Sequence, residues 1–492
     1  MRAAWRASDV REAEEALIAT LSEGALMQRA ATGLARRCAD LLAERCGGIY
    51  GSRVLLLVGA GNNGGDALYA GARLARRGAR VEALLLSPER AHAGGLSALL
   101  EAGGLTAPGV PDTAHMVVDG IVGIGGQGGL RGAAAGAVEA LTRVRAPQGG
   151  PPVVVAVDVP SGVDVDTGDV PGRAVRADVT VTFGCLKPCL VVGPAAPLAG
   201  LVDVVDIGLP WLTAPPAVWV PDVADVRRWW PRPGPTSDKY TRGVVGIATG
   251  SVGYPGAAIL STAGALAGPA GMVRYAGPVA RDVVRAHPSV VPAQRVAEAG
   301  RVQAWLCGSG LGTDERAADE LRAVLGSPVP AVLDADALTL LVDGQLAGWL
   351  RKRDAPTVIT PHDREFARVG GDQPSEDRLT AARQLAAQIN AVVLLKGDRT
   401  IVATPEGTAW ANPTGTPFLA TAGTGDVLAG LLASLLAAGL PADRAAIAAA
   451  FLHGLAARRA VDELGAAGAP LTAAGVADAL PATIGRLLSD SE

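Results

Sequence analysis

The sequence predicts two α/β domains in tandem, each a mostly parallel sheet with helices on its faces. Three observations carry this reading. At 492 residues the chain exceeds what one core ordinarily fills. Short apolar runs recur in both halves, each leading into a glycine-rich or polar loop and then a helical pattern. Between the halves, Pro210, Pro215, Pro216, Pro221, Pro231, Pro233 and Pro235 interrupt the pattern together with Trp211, Trp219, Trp229 and Trp230. The expected division is a first domain over residues 1–214, a Pro/Trp-rich linker over 215–235 and a second domain over 236–492. The tryptophans either pack one domain on the other or start the core of the second.

Composition narrows the function classes. Hydrophobic residues make up 49% and charged residues 19%, which suits a well-buried globular protein. A net charge of -4 and an aromatic content of 3% argue against nucleic acid, an anionic membrane or a base-stacking surface. Cys38, Cys46, Cys185, Cys189 and Cys307 are odd in number and fit no zinc spacing, so a reduced, cytoplasmic protein is expected. The start lacks the apolar stretch of a signal peptide. Residues 243–273 carry no charge over roughly thirty positions, long enough for a bilayer, but Pro255, Pro269 and several glycines break the stretch into strand, loop and buried helix.

Taken in order, residues 9–45 place Val10, Ala13, Leu17, Leu21, Met27, Leu34 and Leu41 at helical spacing, which predicts two helices. Residues 54–58 read as a strand buried on both faces. It runs into Gly59-Ala60-Gly61-Asn62-Asn63-Gly64-Gly65-Asp66 and a helix over 67–77, the strand–loop–helix start of a doubly wound fold. Gly59, Gly61 and Gly64 spell G-x-G-x-x-G, but the next strand, 81–86, ends at Ser87-Pro88 and lacks the acidic residue of a dinucleotide fold. Asn62, Asn63 and Asp66 supply more oxygens than a turn requires, which favours a binding loop. The strand 116–119 ends on Asp119 and leads into the glycine-rich loop 120–131. The strand 153–158 ends on Asp158 and leads into Val159-Pro160-Ser161-Gly162. In open parallel sheets ligands sit outside the carboxyl ends of strands. Asn63, Asp119, Asp158 and Ser161 therefore face one crevice, where hard oxygen donors suit a hard cation. Each acid alone would serve equally as a loop or helix cap; the recurrence at successive strand ends carries the functional reading. Residues 178–183 and 201–207 read as later strands. Lys187, just past the first of them, reads as a ligand contact in preference to a solvated lysine.

The second half repeats the arrangement. Strands over 244–248, 304–306, 331–334, 357–360 and 392–395 end on or lead into Gly250, Gly308 to Gly312, Asp334, His362 and Lys396. Last comes Thr421-Ala422-Gly423-Thr424-Gly425-Asp426 before the apolar run 427–436. Unpaired amides at such a helix start hold an anion. Asp426 there is either a helix cap or a base that deprotonates a hydroxyl before phosphoryl transfer. His362 reads as a cap or a ligand contact, and His453, in an alanine-rich helix, as structural.

These motifs together resemble the bacterial bifunctional NAD(P)H-hydrate repair enzymes, and the resemblance covers nearly the whole chain. In the first half it rests on residues 61–66, 118–123 and 158–162; in the second on 308–312, 334–338, 360–365, 395–397 and 423–426. It implies a Rossmann-like three-layer epimerase domain followed by a ribokinase-like α/β dehydratase domain. The implied activity is interconversion of R- and S-NAD(P)HX, then ADP-dependent dehydration of the S form to NAD(P)H with release of AMP and phosphate. By the same resemblance Asn62, Asn63, Gly64, Gly65 and Asp66, with Gly123, Ile124, Gly125, Gly126, Gln127, Gly128 and Gly129, hold the hydrate in the epimerase domain. Asp158 contacts it there and is the candidate acid/base. Asn63, Asp119 and Ser161 match potassium positions. In the dehydratase domain Ala257, Gly310, His362 and Asp426 match hydrate contacts, with Asp426 the base. Lys396, Gly397, Asp398, Arg399, Thr400, Gly423, Thr424 and Gly425 match the adenine-nucleotide site, and Mg2+ is expected with ADP. Ile124 and Gly126 replace a common threonine-containing Gly-Thr-Gly, and Arg364 replaces a common glycine. The expected partners are NAD(P)HX and ADP, with no nucleic acid or membrane, in a homo-oligomer. The rival is a ribokinase-type small-molecule kinase carrying a non-catalytic N-terminal binding domain.

Overall fold

Apolar runs form the strands of two separate sheets in the computed structural model, which describes residues 1–489 except 127, 211, 371–372, 375 and 466–467. In chain order the strands are β1 (Arg2–Ala4), β2 (Arg53–Val58), β3 (Arg80–Leu85), β4 (Leu105–Thr106), β5 (Met116–Gly120), β6 (Val153–Val157), β7 (Val179–Phe183), β8 (Leu201–Val205), β9 (Val218–Val220), β10 (Val244–Ala248), β11 (Met272–Ala276), β12 (Val291–Ala293), β13 (Ala304–Cys307), β14 (Ala331–Leu333), β15 (Thr357–Ile359), β16 (Val392–Leu395), β17 (Ile401–Ala403) and β18 (Ala409–Ala411). The chain divides into one unit of Ala3–Val218 and another of Met1–Arg2 with Trp219–Glu492.

In the first unit seven parallel strands run in the order β4-β3-β2-β5-β6-β7-β8. Alternation along β2 makes the layers. Val54, Leu56 and Val58 join a core that includes Leu34, Leu41, Leu68 and Leu74 of the helices Ala25–Cys46 and Asn62–Arg76. Leu55 and Leu57 point to the opposite face, with Val117, Ala137 and Val144. Covered on both sides, β2 needs continuous apolar sequence from Val54 to Val58, and β5 from Met116 to Val118. The strand order reverses between β2 and β5, which makes their carboxyl ends the topological switch point where such sheets bind ligands.

The other sheet has the order β1-β9-β18-β17-β16-β15-β14-β13-β10-β11-β12. The strands from β12 to β16 pair in parallel, and β17 is antiparallel to both of its neighbours. The helix Thr424–Ala437 is buried at every position from Val427 to Ala437, as a stretch apolar apart from Ser434 must be. It lies against Pro255–Ala267 through glycine. A Cβ on Gly430 would stand 2.0 Å from the Ser261 carbonyl oxygen, and one on Gly264 would stand 2.1 Å from that of Val427. Gly430→Ala must push these helices apart, so a loss of about 1–3 kcal/mol is expected, read as a lower midpoint in thermal or urea unfolding of this unit. An unchanged midpoint would mean that the contact yields without cost.

Residues 215–235, read from sequence as a linker, contain β9 and the helix Val223–Trp229, capped reciprocally by Asp222 and Asp225. Trp219 and Trp229 pack on Trp410 at ring-centroid distances of 6.3 and 5.6 Å. Of the two roles open to the tryptophans, the structure gives these the core of the second unit. Trp211 lies outside the described residues. Among the described residues no helix is long and apolar enough to cross a membrane.

Candidate active sites

The first site is built at the switch point of the first unit. Gly59 can sit there only without a side chain, because a Cβ would meet the Ile121 carbonyl oxygen at 1.9 Å. Gly61, at φ +92°, turns the chain into the helix that starts at Asn62, and no side chain caps that start. Asn63 and Asp66 are buried; among the described residues Nδ2 of the one and Oδ1 of the other have no hydrogen-bond partner. Burial, reinforced by Asp158 and Glu14, raises the Asp66 carboxyl well above its ordinary range.

Asp119 is fully buried and joined directly to Ser161. Ser161 Oγ donates to Asp119 Oδ1 at 2.6 Å and Ser161 N to Oδ2 at 2.8 Å, while Ile121 N reaches Oδ1 at 3.2 Å. Burial pushes Asp119 up to about 6 against the pull of these bonds. Asn63 lies beside the same loop, since a Cβ on Gly123 would come within 2.9 Å of its Oδ1. Asn63, Asp119 and Ser161 are thus gathered around the switch point. In the loop beyond, Arg11 donates to the Ile124 carbonyl at 2.7 Å, Gly126 N donates to the Gly123 carbonyl, and Gly129 packs on Gly172. Gly125 and Gly128 continue this loop, and Gln127 lies outside the described residues.

Asp158 directly follows β6 at φ +66°, a conformation that favours glycine. Lys187 Nζ donates to its Oδ1 at 2.6 Å. The sequence reading of Lys187 as a ligand contact is corrected here: the side chain is fully buried against the protein's own carboxylate. Sequence reasoning also missed Arg11 and Glu14, both on the helix Ala7–Ile18; burial raises the Glu14 carboxyl, with Lys187 opposing it. Neither residue has a local motif that would have revealed it.

The second site lies at the carboxyl ends of β10 and β13 to β16. Asp334 is its hub. Its Oδ2 accepts from Ser309 Oγ at 3.0 Å, and its Oδ1 from Thr360 Oγ1 at 2.8 Å and Lys396 Nζ at 2.9 Å. Ala335, at φ +50°, then turns the chain into a short helix, and Asp336 Oδ2 accepts from Gly312 N at 2.9 Å, tying two loops together. Lys396 Nζ would stand 3.5 Å from a Cβ on Gly425, so the lysine and the glycine loop adjoin. Gly423 is left-handed at φ +87° and opens the helix Thr424–Ala437 without a side-chain cap. Asp426, in the first turn, therefore does not cap it. Burial first, then Asp334, push Asp426 up to about 6, while a bond from Ser309 and the charge of Lys396 pull the other way.

Ala257 and Gly310 meet: a Cβ on the glycine would be 2.8 Å from that of Ala257. His362 Nδ1 accepts from Arg364 N and Glu365 N at the start of the helix Asp363–Gly370, and its side chain stays half-exposed. Gly397 and Asp398 are exposed, Thr400 Oγ1 donates to the Gly397 carbonyl, and Arg399 donates to that of Pro413. The Thr424 hydroxyl lies 2.8 and 2.9 Å from the carbonyls of Leu419 and Thr421, and its N–H donates to that of Thr421 at 3.4 Å. Burial holds His453 down to about 4 despite a hydrogen bond to the Thr424 backbone.

A family model described as YjeF-related protein N-terminus matches residues 23–189, and one described as NAD(P)H-hydrate dehydratase matches residues 245–479. The bifunctional NAD(P)H-hydrate repair enzyme Nnr of Mycobacterium tuberculosis (strain ATCC 25618 / H37Rv) is 47% identical over 448 residues, 91% of this chain and 91% of that protein. Its counterpart from Mycobacterium leprae (strain TN) is 44% identical over 480 residues, 96% of this chain and 97% of that protein. The solved structure of an ADP/ATP-dependent NAD(P)H-hydrate dehydratase from Bacillus subtilis, co-crystallised with ATP and Mg2+, is 30% identical, covers 55% of this chain and 99% of its own, and has a TM-score of 0.49. With both halves matched and relatives this similar along almost its full length, the chain belongs to the family of bifunctional NAD(P)H-hydrate repair enzymes.

Proposed function

We propose that this chain restores hydrated NAD(P)H in two steps. The first unit interconverts the R and S hydrates, and the second dehydrates the S form at the expense of ADP. The observation that carries this reading is Asp426: a carboxylate beside an uncapped helix start, not itself a cap, with Lys396 against the same loop. Amides and ammonium receive a phosphate, and the carboxylate takes the proton of a hydroxyl. Asp426 accepts the C6 hydroxyl proton, the hydroxyl oxygen attacks the β-phosphorus of ADP, and AMP departs. The C6–O bond then breaks as phosphate leaves and C5 gives up a proton, restoring the ring double bond. Poor leaving water is thereby replaced by phosphate. The nucleotide enters as its magnesium complex, over Lys396 to Thr400 and Gly423 to Gly425. Ala257, Gly310 and His362 bound the hydrate.

In the first unit the loop Asn62 to Asp66 and the loop 123–129 hold the hydrate, and Asp158 moves the proton. Potassium fits Asn63, Asp119 and Ser161. Asp119 is a fully buried carboxylate that forms no ion pair among the described residues, and a monovalent cation supplies the missing counter-charge. When bound, it screens negative charge beside the hydrate. The five free cysteines, none of them paired, support a cytoplasmic setting.

The test is recovery of the near-ultraviolet absorbance of reduced nicotinamide from a mixed-epimer hydrate, with ADP or ATP added. Full recovery is expected. Recovery of the S share alone would make the first unit a binding module, and no recovery would bring back the small-molecule kinase. Because the base must be ionised, kcat for S-hydrate dehydration should fall about tenfold per pH unit below about 6 and level off above it, following Asp426. A profile flat down to pH about 4.5 would exclude this base.

A further inference from the structure

We infer that Lys187 is the positioning residue that fixes Asp158 for proton transfer in the first unit, an inference that rests on the epimerase reading above. Lys187 is fully buried, and an ammonium is kept there only by partners. All three of its protons are used. Nζ donates to Asp158 Oδ1 at 2.6 Å, to Thr182 Oγ1 at 2.9 Å and to the Phe183 carbonyl at 2.9 Å. The same two residues of β7 return to the carboxylate: Thr182 Oγ1 donates to Oδ1 at 3.0 Å and Phe183 N at 3.3 Å. Three donors thus converge on Oδ1, and Oδ2 is outside this set.

The backbone of Asp158 agrees. It is held at φ +66° and its N–H donates to the Val181 carbonyl at 2.8 Å, so main chain and side chain are both anchored to β7. Strain of this kind persists where the surroundings over-determine it. The neighbouring charges make the cation necessary. Glu14 faces Asp158 from the helix Ala7–Ile18 and Asp66 from the helix Asn62–Arg76, and the thiols of Cys185 and Cys189 lie close by. Without Lys187, a buried carboxylate among acids would take up a proton and turn away from the hydrate.

The experiment compares Lys187→Met and Thr182→Val with the full-length wild type. R-hydrate consumption is measured across pH, with S-hydrate dehydration followed in the same samples and unfolding melts of each protein. Lys187→Met is expected to lower kcat for the R form about 100-fold with KM within about threefold, and to move the acidic limb to higher pH. Thr182→Val keeps shape and charge and should give a smaller fall, about tenfold, in kcat. A purely structural lysine would lower the melting point without moving the pH limb. If Lys187→Met consumes the R form at the wild-type rate and pH profile, the inference is overturned. If that variant fails to fold, Thr182→Val decides, and unchanged kcat and pH dependence in it overturn the inference equally. Wild type that leaves the R form untouched would instead overturn the epimerase reading, and this inference with it.

Discussion

Asp426→Asn is expected to lower ADP-dependent dehydration of the S-hydrate by about 10³-fold, the size of effect that loss of a positioned base produces. The substitution keeps shape, so packing of the helix Thr424–Ala437 is not at issue. Asp426 does not cap that helix, and its loss as a carboxylate therefore costs no capping bond. The proposed phosphate contacts also stay in place: Lys396 remains tied to Asp334, and Asp334 to Ser309 and Thr360. The fall should appear in kcat, with nucleotide binding kept, and R/S exchange followed by NMR should be untouched. Residual dehydration above about a tenth of wild type would show that another group takes the proton.

Asp158→Asn should reduce consumption of the R-hydrate to its spontaneous rate while S-hydrate dehydration continues unaltered. The choice of asparagine isolates the charge. Asn enters the left-handed region as readily as Asp, so the φ of +66° is no obstacle. Its amide oxygen still accepts from Thr182 and Phe183. What disappears is the base, together with the counter-charge of fully buried Lys187. A breach of such a pair is destabilising by about 3–5 kcal/mol, so melts must accompany the kinetics. A folded variant that consumes the R form faster than spontaneous epimerisation would remove Asp158 from the mechanism.

Much of the architecture is legible in the chain. A strand covered on both faces is written as an apolar run, and β2, β6 and β16 can be read that way. The expected helices over 9–45 correspond to Ala7–Ile18 and Ala25–Cys46. The short β1 was not foreseen; its three residues carry no periodicity, and only pairing within a sheet makes them a strand. The stretch 215–235 was obscured by its prolines, although Trp219 and Trp229 reach the core around Trp410.

The sequence by itself determined where these polar side chains stand along the fold: Asn63, Asp119, Asp158, Asp334, Lys396 and Asp426 each end or follow a strand or open a helix, and in a parallel sheet every such end faces one edge. Local order along the chain suffices for that. The tertiary structure alone decided what these groups do to one another. Lys187 lies 29 positions from Asp158 and Lys396 lies 62 from Asp334, yet each forms an ion pair with its partner. Asp66 and Asp426 are raised by burial and by carboxylates brought from other elements. Desolvation and Coulomb energy depend on what surrounds a group in space, and neighbours in sequence do not fix that.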